Sequence, residues 1–97
     1  MDVNEVERNI KMAVGLLKAL SNERRLAIVC TLYKGEKSVG ELEELIGLSQ
    51  SALSQHLARL RRDQLVETRR DAQTIYYSLK DDAIEDILNT LYKIYCP

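Results

Sequence analysis

Apolar positions follow a helical spacing through the first two-thirds of the chain, switch to strand-like runs, and return to a helical spacing at the end. In residues 5–20, Val6, Ile10, Val14, Leu17 and Leu20 fall at helical spacing with charge between them, which predicts an amphipathic first helix that Gly15 weakens slightly. Asn22 suits the N-cap of a second helix bearing Leu26, Ile28, Val29, Cys30, Leu32 and Tyr33, apolar enough to be central, and Lys34-Gly35 ends it. Ser38-Val39-Gly40-Glu41 matches a capping box: the serine side chain accepts from a backbone amide three residues on, and the glutamate bonds back. The short third helix that follows is expected to turn Leu42, Leu45 and Ile46 inward.

Gly47-Leu48-Ser49 then breaks and restarts the chain. Glycine suits the left-handed conformation that ends a helix, and serine suits the cap that begins the next, so the pair of helices has a helix-turn-helix signature. In the fourth helix Leu53, Leu57 and Leu60 form the buried stripe; Ser51, Gln55, Ala58 and Arg62 point the other way, with Ser54 and Arg59 at the edges. Leu65–Arg69 and Thr74–Leu79 read as strands around a polar tip at residues 70–73, making a hairpin wing. Asp81 or Asp82 starts a last helix with Ile84, Ile87, Leu88, Leu91 and Ile94 as its stripe, and Cys96 follows directly.

The predicted fold is mainly α with a β-hairpin wing (α+β): a winged helix-turn-helix of four helices, two strands and a fifth helix, as one domain over residues 1–97. A chain of 97 residues has only one modest core to fill. First and last helices this apolar are therefore expected to pair with their counterparts in a homodimer, through Val6, Ile10, Val14, Leu17, Ile84, Ile87, Leu88 and Leu91.

Charge sharpens the functional reading. The net charge of −1 argues mildly against a nucleic-acid binder, yet residues 49–70 carry Arg59, Arg61, Arg62, Arg69 and Arg70 against Asp63 and Glu67, a local +3 on an acidic remainder. A basic stretch on an acidic body is a footprint that orients a protein on phosphate. The exposed face of the fourth helix has what a major-groove reader needs. Gln55 can make a bidentate contact to adenine, Ser51 and Ser54 can meet a donor or an acceptor, Arg59 or Arg62 can reach guanine or phosphate, and Ala58 keeps the face slim. The expected DNA-binding set is Ser49, Gln50, Ser51, Ser54, Gln55, His56, Arg59, Arg62, Arg69, Arg70 and Gln73, reading a pseudo-palindromic operator in double-stranded DNA.

Other chemistry finds little support. A lone histidine, His56, cannot supply a zinc site, and it lies at the flank of the leucine stripe, where packing or a phosphate contact suits it better. The carboxylates Glu41, Glu43 and Glu44 read as a solvated helix face, because no nucleophile-histidine pair, glycine-rich phosphate loop or cysteine motif accompanies them. No enzyme activity, metal or cofactor is expected. With 45% hydrophobic and 30% charged residues, no apolar run of membrane-spanning length and no signal-peptide pattern, the expectation is a cytoplasmic protein without membrane association, its thiols reduced by default. Cys30 and Cys96 stand 66 positions apart, and spacing leaves open whether they are small buried hydrophobes or a redox pair.

The run LLKALSNERRLAIVCTL at residues 16–32, followed by SVGELEELIGLSQSALSQHLARLRRDQLVETRRDAQTIYYSL at residues 38–79, resembles the ArsR/SmtB family of bacterial repressors over nearly the whole chain. The resemblance implies a dimer built on the first and last helices, the fourth helix in the major groove and the hairpin as wing. Many members of that family sense metals through cysteines at the start of the third helix, or through aspartate and histidine on the last. Here residues 38–45 hold no cysteine and residues 82–94 no histidine. The nearer likeness is to the branch of HlyU-like and BigR-like regulators, where a cysteine in the second helix and another in a C-terminal Tyr-Cys pair respond to persulfides, polysulfides or oxidants. Cys30 within IVCTL and Cys96 within IYCP match those positions. The resemblance thus implies a repressor whose operator binding is lost when reactive sulfur species or oxidants bridge Cys30 to Cys96. A DNA-binding dimer without cysteine sensing, activating genes by displacing another DNA-bound protein, is the alternative; a small thiol redox enzyme is a third.

Overall fold

A computed structural model of the chain describes residues 2–96. Five helices and three short strands follow in the order α1 (Val3–Leu20), α2 (Glu23–Tyr33), β1 (Lys37–Ser38), α3 (Val39–Ile46), α4 (Gln50–Arg62), β2 (Val66–Asp71), β3 (Thr74–Leu79) and α5 (Asp82–Tyr95). Local chemistry sets most of these boundaries. Asn22 Oδ1 accepts from the backbone amides of Arg24 and Arg25 to start α2. Ser38 and Glu41 complete the capping box of α3, and Asp81, rather than Asp82, caps α5. Gly47 ends α3 at φ +76°, a conformation that would strain a side-chain-bearing residue.

The strands form an antiparallel sheet in the order β1-β3-β2, with Arg69 opposite Tyr76, Arg70 opposite Ile75, and Ser38 opposite Tyr76 on the other flank. Two features of this sheet differ from the sequence expectation. Lys37-Ser38 is too short to show an alternating pattern and pairs only because β3 offers an open edge. Arg70 and Asp71 continue β2, so the hairpin tip narrows to Ala72-Gln73, with Ala72 at φ +56°.

A single core holds the fold. Ile28 and Val29 of α2, Leu42 of α3, Leu53, Leu57 and Leu60 of α4, Val66 of β2 and Leu88 of α5 are all but fully buried. Each such side chain contributes on the order of 1.5–3 kcal/mol of transfer free energy, so the leucine stripe of α4 anchors its polar face outward. Leu45, expected inward, is exposed: the eight-residue helix buries Leu42 and packs Ile46 against the core, and Leu45, at the flank of that stripe, is left uncovered. Ile84 and Leu88 also need correction. They are only 3% and 1% exposed because they fill the chain's own core, so they are not on an outward dimer face; Ile87 and Leu91 pack at its margin.

Helix α1 is different. Only Ala19 and Leu20 at its C-terminal end are buried, while Val6, Ile10, Val14 and Leu17 project from an 18-residue helix with no cover. Ile94 and Tyr95 near the end of α5 are exposed as well.

Candidate nucleic-acid interface and thiol cleft

The turn between α3 and α4 presents the N-terminus of α4. Ser49 Oγ accepts from the Ala52 amide at 3.2 Å, which leaves its hydroxyl hydrogen free to donate outward. Gln50, Ser51, Ser54, Gln55 and Ala58 are exposed, so the face predicted to read bases is open to solvent. His56 is half-buried at the flank of the leucine stripe. Arg59 is partly withdrawn: its Nε donates to Asp63 Oδ2 at 2.7 Å, one helical turn on. Arg62 lies 3.7 Å from the same carboxylate but keeps 70% of its side chain exposed.

Sequence reasoning missed Arg61. It has no ion pair among the described residues, and it lies one and two turns beyond Ala58 and Ser54 on the same edge of α4. A shallow groove of about 500 Å³, walled by Ser54, Ala58, Arg61 and Arg62 on one side and by Val39 and Tyr77 on the other, runs between α4 and the sheet. The i, i+4, i+7 spacing of Ser54, Ala58 and Arg61 was the signal that could have found it.

The sheet separates the two wing arginines. Tyr77 faces the α4 groove, and strand alternation puts its neighbour Tyr76, with Arg69 opposite, on the outer face. There Arg69 lies across the strands. Its guanidinium is 4.4 Å from the centre of the Tyr76 ring, and its Nε and Nη2 donate to the two carboxylate oxygens of Glu36 at 2.8 and 2.7 Å. The fork-like pairing holds the Arg69 guanidinium above its ordinary value, so its charge is already satisfied within the chain. Arg70 and Gln73, nearer the tip, are exposed, and no ion pair engages Arg70 among the described residues.

Between α2 and α5 the two cysteines share a hollow. Cys30 and Cys96, both free thiols, line one cleft of about 310 Å³ whose other walls are Leu26, Leu88, Leu91, Tyr92 and Tyr95. Cys30 is half-buried, whereas Cys96 caps the C-terminus of α5 and is exposed, its backbone amide donating to the Tyr92 carbonyl at 2.7 Å. Burial, and then the Cys30 thiol against which its hydroxyl lies, push the Tyr92 phenol above its ordinary value. The Tyr33 ring packs 5.8 Å away at a tilt, and the Tyr33 hydroxyl donates to the Asn89 side-chain oxygen. Among the described residues no three His, Cys, Asp or Glu side chains converge as metal ligands, and no helix is long and apolar enough to cross a membrane.

Known proteins match the helix-turn-helix segment and nearly all of the chain around it. Residues 22–68 fit the family described as "Bacterial regulatory protein, arsR family". Over 96 residues, covering 99% of this chain and 89% of the relative, the sequence is 53% identical to the transcriptional activator HlyU of Vibrio cholerae. The chain belongs to the ArsR family. Its fold superposes on reduced HlyU from Vibrio cholerae with a TM-score of 0.90, covering 98% of this chain and 100% of that one. On the transcriptional repressor BigR from Xylella fastidiosa the TM-score is 0.88 at 44% identity, covering 100% and 99%. This ArsR-family protein is therefore a winged helix-turn-helix transcriptional regulator of the HlyU/BigR-like branch, with DNA as its partner.

Proposed function

We propose that this regulator binds a pseudo-palindromic operator as a homodimer and releases it when Cys30 and Cys96 become bridged by a reactive sulfur species or oxidant. The observation that carries the thiol reading is the shared cleft, which brings two cysteines 66 positions apart to one hollow between α2 and α5. A direct disulfide needs Cα atoms within about 7 Å, whereas inserted sulfur spans a wider gap. Either bridge ties the last helix to the core helix beneath it. The dimer reading rests on α1: its uncovered Val6, Ile10, Val14 and Leu17 suit the same face of a second copy, with Ile87 and Leu91 of α5 beside them. Two α4 helices must meet successive major grooves about 34–36 Å apart, so a bridge that changes their relative angle spoils the fit.

Base contacts are assigned to Gln50, Ser51, Ser54 and Gln55, and phosphate contacts to Ser49, His56, Arg61, Arg62, Arg70 and Gln73. Arg59, tied to Asp63, and Arg69, tied to Glu36, contribute less. The test is DNA binding and intact mass measured on the same samples of reduced and treated protein. Treatment with an organic persulfide or peroxide is expected to join Cys30 to Cys96 within one chain and to weaken operator binding in step; Cys30→Ser should abolish both effects. Release of DNA from the Cys30→Ser protein by the same reagent overturns the bridge.

A second reading has one observation in its favour. The relative HlyU is named an activator, and a DNA-binding dimer that displaces another DNA-bound protein activates without any thiol chemistry. Undiminished operator binding after every oxidant would select it.

A further inference from the structure

Arg69 and Arg70 are neighbours on β2, yet only Arg69 is engaged. It crosses β3 over the Tyr76 ring and ends in a two-point fork on Glu36. Glu36 comes from outside the hairpin. It stands one position before β1, and because Ser38 lies opposite Tyr76, strand alternation puts Glu36 on the same outer face. Its backbone is held in place: Gly35 turns the chain at φ +137°, and Lys37 Nζ donates to the Gly35 carbonyl at 3.2 Å. Glu67 and Asp71, two positions to either side of Arg69 on β2, share that face, but the fork goes to Glu36.

The pair lies in the open. The Arg69 side chain is 54% exposed, and an exposed ion pair adds little stability beyond the packing that the Tyr76 ring already supplies. Its chemistry gives it another role. A carboxylate and a phosphate offer a guanidinium the same two-oxygen partner, so whichever occupies the fork excludes the other.

We infer that Glu36 limits the affinity of this regulator for DNA: it is an internal stand-in for phosphate that keeps Arg69 from adding a sequence-independent contact at the wing. The inference rests on the reading that the wing meets DNA through Arg70, and goes beyond it by giving a function to a residue that itself touches no DNA. While Glu36 holds the fork, a phosphate must displace it to reach Arg69, and the pair brings no net charge to the duplex. Without Glu36 the wing gains one cation able to release a counterion from DNA.

The test uses the full-length reduced protein and two fluorescent duplexes of about 30 base pairs and unrelated mixed sequence, long enough for two half-sites and carrying the same phosphates. Binding is followed by anisotropy over a range of salt concentrations. Glu36→Gln should tighten binding to both duplexes about three- to tenfold at low salt and steepen the salt dependence by about one counterion. Glu67→Gln removes an equal charge from the same face without opening the fork, and should give at most about a twofold gain. In Arg69→Gln protein, Glu36→Gln should gain no more than Glu67→Gln does. Glu36→Asp keeps the charge but shortens the reach, so it should also tighten binding, by about twofold, and it stands in if Glu36→Gln folds poorly.

A gain from Glu36→Gln that persists without Arg69, or that Glu67→Gln matches, overturns the inference, as does unchanged or weaker binding in both Glu36 variants. Arg70→Ala separates it from the reading beneath it. If Arg70→Ala lowers affinity and salt slope while the Glu36 variants change nothing, the wing meets DNA and only the inference fails. If Arg70→Ala is also without effect, the wing does not meet DNA and both fail.

Discussion

At the scale of single residues the helix starts are the most legible feature, because a cap is a short-range interaction written within four positions. Ser38 and Glu41 are the clearest case. The Ser38 backbone amide donates to Glu41 Oε1 at 3.0 Å, while Ser38 Oγ accepts from the Glu41 backbone amide at 3.2 Å; the Ser38 amide first, and its side chain second, hold the Glu41 carboxyl below the usual range. A depressed folded-state value means the stabilisation is complete above the ordinary carboxylate range and is lost as pH falls through the lower, folded value. Glu41→Gln keeps the geometry of the box without its charge, so the variant should be less stable at neutral pH and should converge on the parent in acid; denaturant midpoints measured across that range check it. What residues could not reveal is where long side chains come to rest. Arg69 and Arg70 look equivalent in the sequence, and only the pleat separates them, sending Arg69 across Tyr76 to Glu36 while Arg70 stays free. Arg70→Ala is therefore expected to weaken operator binding and flatten its salt dependence by about one counterion. Arg69→Ala should do so less and instead lower thermal stability, as DNA titrations at several salt concentrations beside melting curves will show.

At the scale of elements, periodicity predicted all five helices and both long strands, since each has an apolar face that the core must cover. It failed on two kinds of feature. One is β1, two residues long, whose pairing depends entirely on Tyr76 and Tyr77 of β3, far along the chain. The other is α5, where a continuous apolar stripe served two purposes that spacing cannot tell apart: Ile84 and Leu88 fill the chain's own core, while Ile94 and Tyr95 face outward. The cysteines show the same limit. Their positions in α2 and after α5 were readable, but the cleft they share exists only because the C-terminal part of α5 lies over α2. The DNA-reading face was legible because one regular helix carries it; Arg61 was passed over because it sits at the edge between the stripe and the polar face.

At the scale of the whole molecule the uncovered face of α1 dominates. Ile10 and Leu17 are 55% and 61% exposed in a helix that touches the rest of the chain mainly at its last turn. If a second copy covers this face, Ile10→Asp should convert dimer to monomer in sedimentation with little change in the melting of the folded protomer, and should weaken operator binding by the loss of one half-site. A dimer that survives the substitution would place the interface elsewhere.

Ser38 belongs to two structures at once: it pairs with Tyr76 in the sheet, and it caps α3, the first helix of the helix-turn-helix. The wing and the reading helices are thus riveted at one residue, with no free segment between them. Within a protomer, the span of DNA embraced by helix and wing is consequently fixed like the jaws of a caliper set to one width. Any change in the reach of the two reading helices must come from the joint between copies, so a change at that joint should alter binding to a whole operator while leaving the contacts within each half unaltered.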